Sequence, residues 1–141
     1  MFSAAGDMCE FESVLQGGAP VRIEHWDVAF NQGRTAALNM LGRDVPHEEV
    51  PYFYSVLADW GELEYVGPAY GWDEEILRGS PSEGSFTNWY LKDGRLKAAL
   101  TFGRSDDLEE ARRLLRAGDM LGEADRAKLG DLGADLGSVG G

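Results

Sequence analysis

Apolar and small residues at Trp26, Ala29, Phe30, Gly33, Ala37, Met40 and Leu41 recur at three- and four-residue spacing, which places them on one face of a helix. Glu24 and Asp27 stand in the first turn, where the helix dipole favours anions, and Gly42 stands where a C-terminal cap belongs. The spacing therefore predicts a helix over 24–41. Gly33 within it costs about 1 kcal/mol relative to alanine in an exposed helix, which points to close approach of another backbone or a ligand. The stretch 43–51 has two prolines and no apolar period, and after it the period falls to 2. Strands are predicted over 52–57 and 62–66, with a further short one over 75–78. Asp93-Gly94 has the signature of a type I′ turn joining strands 85–92 and 95–102. In that register Leu91 faces Leu96, Trp89 faces Ala98 and Thr87 faces Leu100, giving the hairpin an apolar side.

Toward the ends the pattern is weaker. Residues 1–5 are small and apolar and read as the end of a buried strand, closed by a turn at Gly6-Asp7. Segment 8–20 has no clean period and ends in Gly17-Gly18-Ala19-Pro20, which reads as a loop. Asp106 followed by Glu109 resembles a capping box, and Leu108, Ala111, Leu114 and Leu115 form the stripe of a second helix. Glu109 is spaced to reach Arg113, and Gly118 ends that helix. The Gly- and Asp-rich stretch 119–141 reads as a weakly amphipathic docking segment or as a frayed tail. The fold class is α+β, with no internal repeat.

The 141 residues suffice for one domain, or one domain with part of another. Thirteen Lys+Arg against 25 Asp+Glu leave a net charge of −12, which argues against binding to nucleic acid or to an anionic membrane. Hydrophobic residues make up 43%, enough for a packed core rather than disorder. One cysteine, Cys9, excludes an internal disulfide, and with only His25 and His47 no metal site is expected. No apolar run approaches the roughly 18 residues of a spanning helix, and the start lacks a signal peptide's pattern, so the expected address is the cytoplasm.

Three features suggest chemistry. Asp7, after a glycine at a strand end, is placed to accept a hydrogen bond from a ligand hydroxyl, or is simply a turn aspartate. Glu24-His25-Trp26 open the first helix, whose unpaired N–H groups face any developing negative charge; alternatively His25 is a partly exposed first-turn residue and Trp26 a core residue. The aromatics Tyr52, Phe53, Tyr54, Trp60, Tyr65, Tyr70 and Trp72 form either a stacking platform or core filling. Glycine-rich dinucleotide loops, a P-loop and a nucleophile elbow are all missing from the sequence.

Four segments taken together, Phe2-Ser3-Ala4-Ala5-Gly6-Asp7, 22–29, 32–42 (Gln-Gly-Arg-Thr-Ala-Ala-Leu-Asn-Met-Leu-Gly) and Val50-Pro51-Tyr52-Phe53-Tyr54-Ser55, resemble the C-terminal third of FAD-dependent pyridine-nucleotide reductases. The group most like it comprises the ferredoxin, rubredoxin and putidaredoxin reductases and their apoptosis-inducing-factor relatives. The resemblance implies that Asp7 holds the ribityl and pyrophosphate part of FAD. Glu24, His25 and Trp26 would lie beside the flavin's pyrimidine edge, where a helix N-terminus stabilises reduced flavin. Tyr52, Phe53 and Tyr54 would shield the ring, and Gly33 with Ala36-Ala37 would allow close packing. Here the chain departs from the family, which commonly has tryptophan at Tyr54 and Asp-Gln at Val56-Leu57.

The resemblance also implies a division into 1–45 as the end of an FAD-binding domain, 46–117 as a mainly antiparallel reductase C-terminal domain, and 118–141 as a tail. The family's two dinucleotide folds would lie upstream, so the chain reads as a fragment or split product that binds FAD weakly or not at all and is not catalytic alone. Completed, it would pass electrons from NAD(P)H through FAD to a ferredoxin-type acceptor. Docking an acidic ferredoxin would then require a local basic patch, with Arg95 and Lys97 as candidates. The alternative is a non-catalytic dimerisation or interaction module, and a homodimer is among the assemblies expected.

Overall fold

Between positions 52 and 102 the period-2 pattern folds into one antiparallel sheet. The structure is a computed structural model that describes residues 3–68 and 70–141. It opens with a two-stranded hairpin, β1 (Glu10–Ser13) and β2 (Ala19–Arg22), followed by helix α1 (Trp26–Met40). Strands β3 (Tyr52–Val56), β4 (Glu62–Val66), β5 (Glu74–Ser80), β6 (Ser85–Lys92) and β7 (Arg95–Phe102) form a five-stranded sheet in the order β3-β4-β7-β6-β5. Helices α2 (Asp107–Ala117) and α3 (Glu123–Gly130) close the chain. The class is α+β, as the sequence implies.

The core lies between one sheet face and α2. Trp89, Leu91, Leu96 and Ala99 meet Leu108, Ala111, Leu114 and Leu115, the stripe predicted for the second helix. Each such leucine, fully buried, contributes about 1.5–3 kcal/mol. Leu121, Leu129, Leu136 and Val139 complete the cluster, so 119–141 is a docked segment rather than a frayed tail. Cations hold it through its carbonyls. Arg78 donates to the carbonyls of Lys128, Asp131 and Ala134, and Arg113 to those of Leu136 and Val139.

Arg78 and Asp107 are themselves 5% and 6% exposed. The Asp107 carboxylate accepts from Thr87 Oγ1 at 2.7 Å and Arg104 Nε at 2.9 Å, and pairs with Arg78 Nε at 3.5 Å. One carboxylate thereby joins β6, β5 and the start of α2.

Several local expectations are corrected. Of the strand expected over 1–5, Met1 and Phe2 lie outside the described residues, and 3–5 are irregular, with no ladder partner. Segment 8–20 is not a loop but most of the β1–β2 hairpin, reversed by a 3-10 turn and by Gly17 and Gly18 at φ 66° and 87°. Strands of four residues are too short for alternation to reveal them. The Asp93-Gly94 turn forms as expected, with φ 49° and 71°. A bulge beside Tyr90 then shifts the register by one, so Trp89 faces Ala99 and Thr87 faces Thr101. Asp106 makes no side-chain cap, and Glu109 pairs with Arg112 rather than Arg113, which Glu110 holds at 2.7 Å.

Helix α1 forms where predicted, and its apolar stripe faces outward: Trp26, Phe30, Met40 and Leu41 are 74, 61, 65 and 77% exposed, so Trp26 is not a core residue. Its buried residues are Val28 and Gln32. A side chain at Gly33 would meet nothing within 4 Å, so no close approach exists at that position among the described residues. Among these residues no helix is long and apolar enough to cross a membrane.

Because the Asp107 network is buried, deleting one partner strands the others. Asp107→Ala is expected to lower the free energy of unfolding by about 3–5 kcal/mol, measured by urea denaturation; a loss below 1 kcal/mol would remove the network from this role.

Candidate functional site

Where the start of α1 meets β3 and β4, the chain frames an open cavity of about 390 Å³. The polypeptide enters from β2 through Ile23 and Glu24, turns at His25 and descends as α1, so helix start and strand aromatics converge. Its walls include Ile23, Val28, Pro51, Phe53, Tyr65 and Tyr70, and its surface is mainly apolar. The floor depends on Gly67 at φ +97°: a Cβ there would lie 2.4 Å from the Lys97 carbonyl oxygen.

His25 is the N-cap of α1. Its Nδ1 accepts from the Asp27 N–H at 3.4 Å, which leaves the proton of the neutral ring on Nε2 and makes that nitrogen a donor. The ring is tilted against Phe53 at 5.3 Å, and Phe53 against Tyr65 at 5.1 Å. Glu24 forms an ion pair with Arg22, whose backbone carbonyl accepts from Tyr70 Oη at 2.8 Å. Tyr52 donates to Glu64 at 2.8 Å and lies beneath the Arg112 guanidinium at 5.0 Å. Burial and the Glu64 carboxylate push its phenol up to about 12.

Four of the seven candidates, Glu24, His25, Tyr52 and Phe53, line this one cavity. The other three do not. Asp7 is exposed in a turn over 6–9, its carbonyl accepting from Arg22 while Gly6 N–H donates to Gln32 Oε1 at 2.7 Å. Trp26 stacks on Phe30, 5.4 Å between centroids, outside the cavity. Tyr54 is 60% exposed on β3. Sequence reasoning did not single out Ile23, Val28, Gly67 or Pro68 for the site. Of these, Gly67-Pro68 alone carries a local signal that could have been used, a turn dipeptide directly after a strand.

A second cluster surrounds His47, whose Nδ1 lies 3.2 Å from Thr35 Oγ1 and whose ring meets Phe11 edge-on at 5.0 Å; burial lowers its pKa. It belongs to the packing of the hairpin against α1. Among the described residues no group of acidic, histidine and cysteine side chains is arranged to hold a metal ion.

In this α+β domain the start of α1 and strands β3 and β4 thus frame one mainly apolar slot. Comparison with known proteins then makes the assignment specific. The reductase C-terminal family model matches residues 59–139, and the chain belongs to that family. It is 34% identical over 133 residues to the 5,5'-dehydrodivanillate O-demethylase ferredoxin reductase subunit of Sphingobium sp., covering 94% of this chain and 31% of that protein. It is 38% identical over 121 residues to the anthranilate 1,2-dioxygenase system ferredoxin–NAD(+) reductase component of Burkholderia cepacia, covering 85% and 29%. The solved ferredoxin reductase for the CYP199A2 system of Rhodopseudomonas palustris superposes with a TM-score of 0.84 at 32% identity, covering 96% and 32%. The chain thus spans about a third of the length of these relatives.

Tyr52, on the strand that borders the slot, supplies a distinct titration. Its folded pKa is raised to about 12, above the usual phenol value near 10. The stability it contributes is therefore full below about pH 10 and lost as pH rises toward 12. Ultraviolet titration of tyrosinate should show a last step near 12 that Tyr52→Phe removes; an unchanged titration curve in that variant would assign the step elsewhere.

Proposed function

We propose that this chain is the C-terminal portion of an FAD-dependent NAD(P)H oxidoreductase of the ferredoxin-reductase type, which passes electrons to a small redox protein, and that upstream FAD- and NAD-binding portions complete it. The observation that carries the reading is the convergence of His25, Phe53 and the start of α1 on one cavity. Family membership and the one-third coverage of ferredoxin reductases support it.

The residues fit the edge of a flavin. The slot is walled by apolar and aromatic side chains suited to a flat ring, and the helix start offers its positive dipole end to negative charge at that ring. Bound FAD would supply the chemistry by accepting a hydride from NAD(P)H and releasing electrons one at a time. In that reading His25, fixed by Asp27 N–H and Phe53, donates from Nε2 to an acceptor on the ring edge. Phe53 excludes water from the slot, Tyr52 borders it from the adjacent position on β3 with its ring turned to Arg112, and Glu24 is restrained by Arg22. Asp7 would contact the ribityl and pyrophosphate part, while Trp26 and Tyr54 would lie at the ring's periphery. The sequence contains no glycine-rich loop to cradle a pyrophosphate, so FAD binding by this chain alone is weak or absent and the chain is not catalytic by itself. The cytoplasm is its proposed location.

The outward stripe on α1 favours a second reading, a non-catalytic dimerisation module. Flavin absorbance near 450 nm separates the two. The purified chain is expected to be colourless and to yield a yellow complex when co-expressed with a polypeptide carrying the two dinucleotide-binding portions. A colourless, defined homo-oligomer that takes up no flavin in that co-expression would favour the module and overturn the oxidoreductase reading. Stoichiometric FAD in the chain alone would overturn its dependence on those portions.

A further inference from the structure

Helix α1 buries two residues, Val28 and Gln32, and the second is polar and only 4% exposed. Gln32 Oε1 accepts from the Gly6 N–H at 2.7 Å across 26 positions, while Nε2 has no partner among the described residues. The side chain borders a cavity of about 180 Å³ together with Ser3, Ala4, Cys9 and Asn39, room enough for water to reach that amide. A leucine there would be buried at less cost, because the desolvation of an amide is offset only by the bonds it makes. The one bond that the Gln32 side chain makes among the described residues is to Gly6.

Gly6 begins the turn over 6–9 that carries Asp7. Its φ is +90°, its carbonyl accepts from the Cys9 N–H at 2.8 Å, and a Cβ on it would come to 3.9 Å from Ala29 Cβ, so the turn rests on α1. Arg22 Nη1 donates to the Asp7 carbonyl at 3.0 Å. The peptide units on both sides of Asp7 are therefore bonded, whereas its exposed carboxylate makes no hydrogen bond or ion pair among the described residues. A fixed backbone bearing an uncommitted carboxylate is arranged to accept from a ligand hydroxyl.

We infer that Gln32 is a positioning residue for Asp7: through the Gly6 N–H it holds the 6–9 turn so that the Asp7 carboxylate meets a hydroxyl of the polyol chain of a flavin nucleotide. The inference rests on the proposed oxidoreductase reading for the identity of that ligand. The hold on the turn belongs to this chain and stands apart from it. Thr35, about one turn further along α1, is the comparison within the same helix. Its hydroxyl lies 3.2 Å from His47 Nδ1 and so also ties α1 to the body, but it makes no hydrogen bond to the turn among the described residues.

Two measurements test it. On the full chain without flavin, amide exchange followed by NMR reports the hold: the Gly6 N–H should exchange about tenfold more slowly than in Gln32→Leu, with the Trp89 amide in the core as the reference for folding. Gln32→Glu keeps an oxygen acceptor for that N–H and should retain most of the protection. The second measurement titrates FAD into the flavin-stripped complex with the two dinucleotide-binding portions. There Gln32→Leu should raise the Kd about tenfold, and Gln32→Glu and Thr35→Val less than about threefold. Where the leucine variant does not fold, Gln32→Met, of similar length, carries the same expectations. A Gly6 amide as labile in the parent chain as in Gln32→Leu would overturn the hold, and so would Gln32→Glu behaving like the leucine variant. Equal weakening of FAD by Thr35→Val would reduce Gln32 to general attachment of α1 and overturn the positioning role, as would unchanged affinity in Gln32→Leu. A parent complex that takes up no FAD would instead fail the oxidoreductase reading and its ligand, with the Gly6 protection intact.

Discussion

The Asp107 carboxylate is the point on which the domain's geometry depends. A buried charge must be met by donors, and here they come from three places: Thr87 on β6, Arg78 on β5 and Arg104 just before α2. Shifting α2 along the sheet by a turn would leave a naked carboxylate in a site only 6% exposed. Apolar packing alone would tolerate such sliding far better, since leucine stripes are repetitive and hydrophobic contact is non-directional. Arg78 extends the constraint by donating to carbonyls between Lys128 and Ala134, and so draws the C-terminal segment onto the same anchor. Burial supplies the energy of this core, and the ion network selects one arrangement of it.

That rigidity reaches the candidate site through the sheet. β7 is central, paired with β4 on one side and β6 on the other, and β4 carries β3. The Gly67 backbone presses on β7 at Lys97 and Ala98, fixing the floor of the cavity relative to the core. The opposite wall is built differently. Helix α1 is held through the Phe53–His25 contact, the Thr35–His47 contact and the Gly6–Gln32 bond, with Val28 and Gln32 as its buried residues. The slot therefore lies between a firmly packed wall and a lightly attached one.

Legibility in the sequence followed the range of the interactions. The Asp93-Gly94 turn, the strands around it and the leucine stripe of α2 are set by local conformation and short-range periodicity, and all form as expected. The one-residue bulge at Tyr90 was hidden because it depends on how β7 must twist to serve two neighbours at once. The Arg78–Asp107 pair joins residues 29 positions apart and left no local trace, while the scattered leucines of 119–141 allowed a docking segment without deciding it or showing what receives it. In the site, the aromatic strand and the helix start were legible as separate signals. That they face each other across one slot followed only from the family resemblance and not from the pattern, because the β1–β2 hairpin that orients α1 is too short to show a period.

The stripe of α1 was legible as one apolar face of a helix, but whether that face is buried was not. Periodicity reports that a surface is apolar but not what covers it. The chain exposes 8349 Å², whereas a compact monomer of 15.4 kDa is expected to expose about 7,200 Å². The excess is comparable to one side of a standard protein interface, about 800 Å². Trp26 and Phe30 stack on one another above that surface instead of entering the core beneath them. Alone, the helix would gain by turning its stripe inward, but the inward side is committed by Gln32, buried and bonded to Gly6 N–H, and by Val28 in the slot. A helix so constrained keeps its apolar stripe exposed, with the slot at its start.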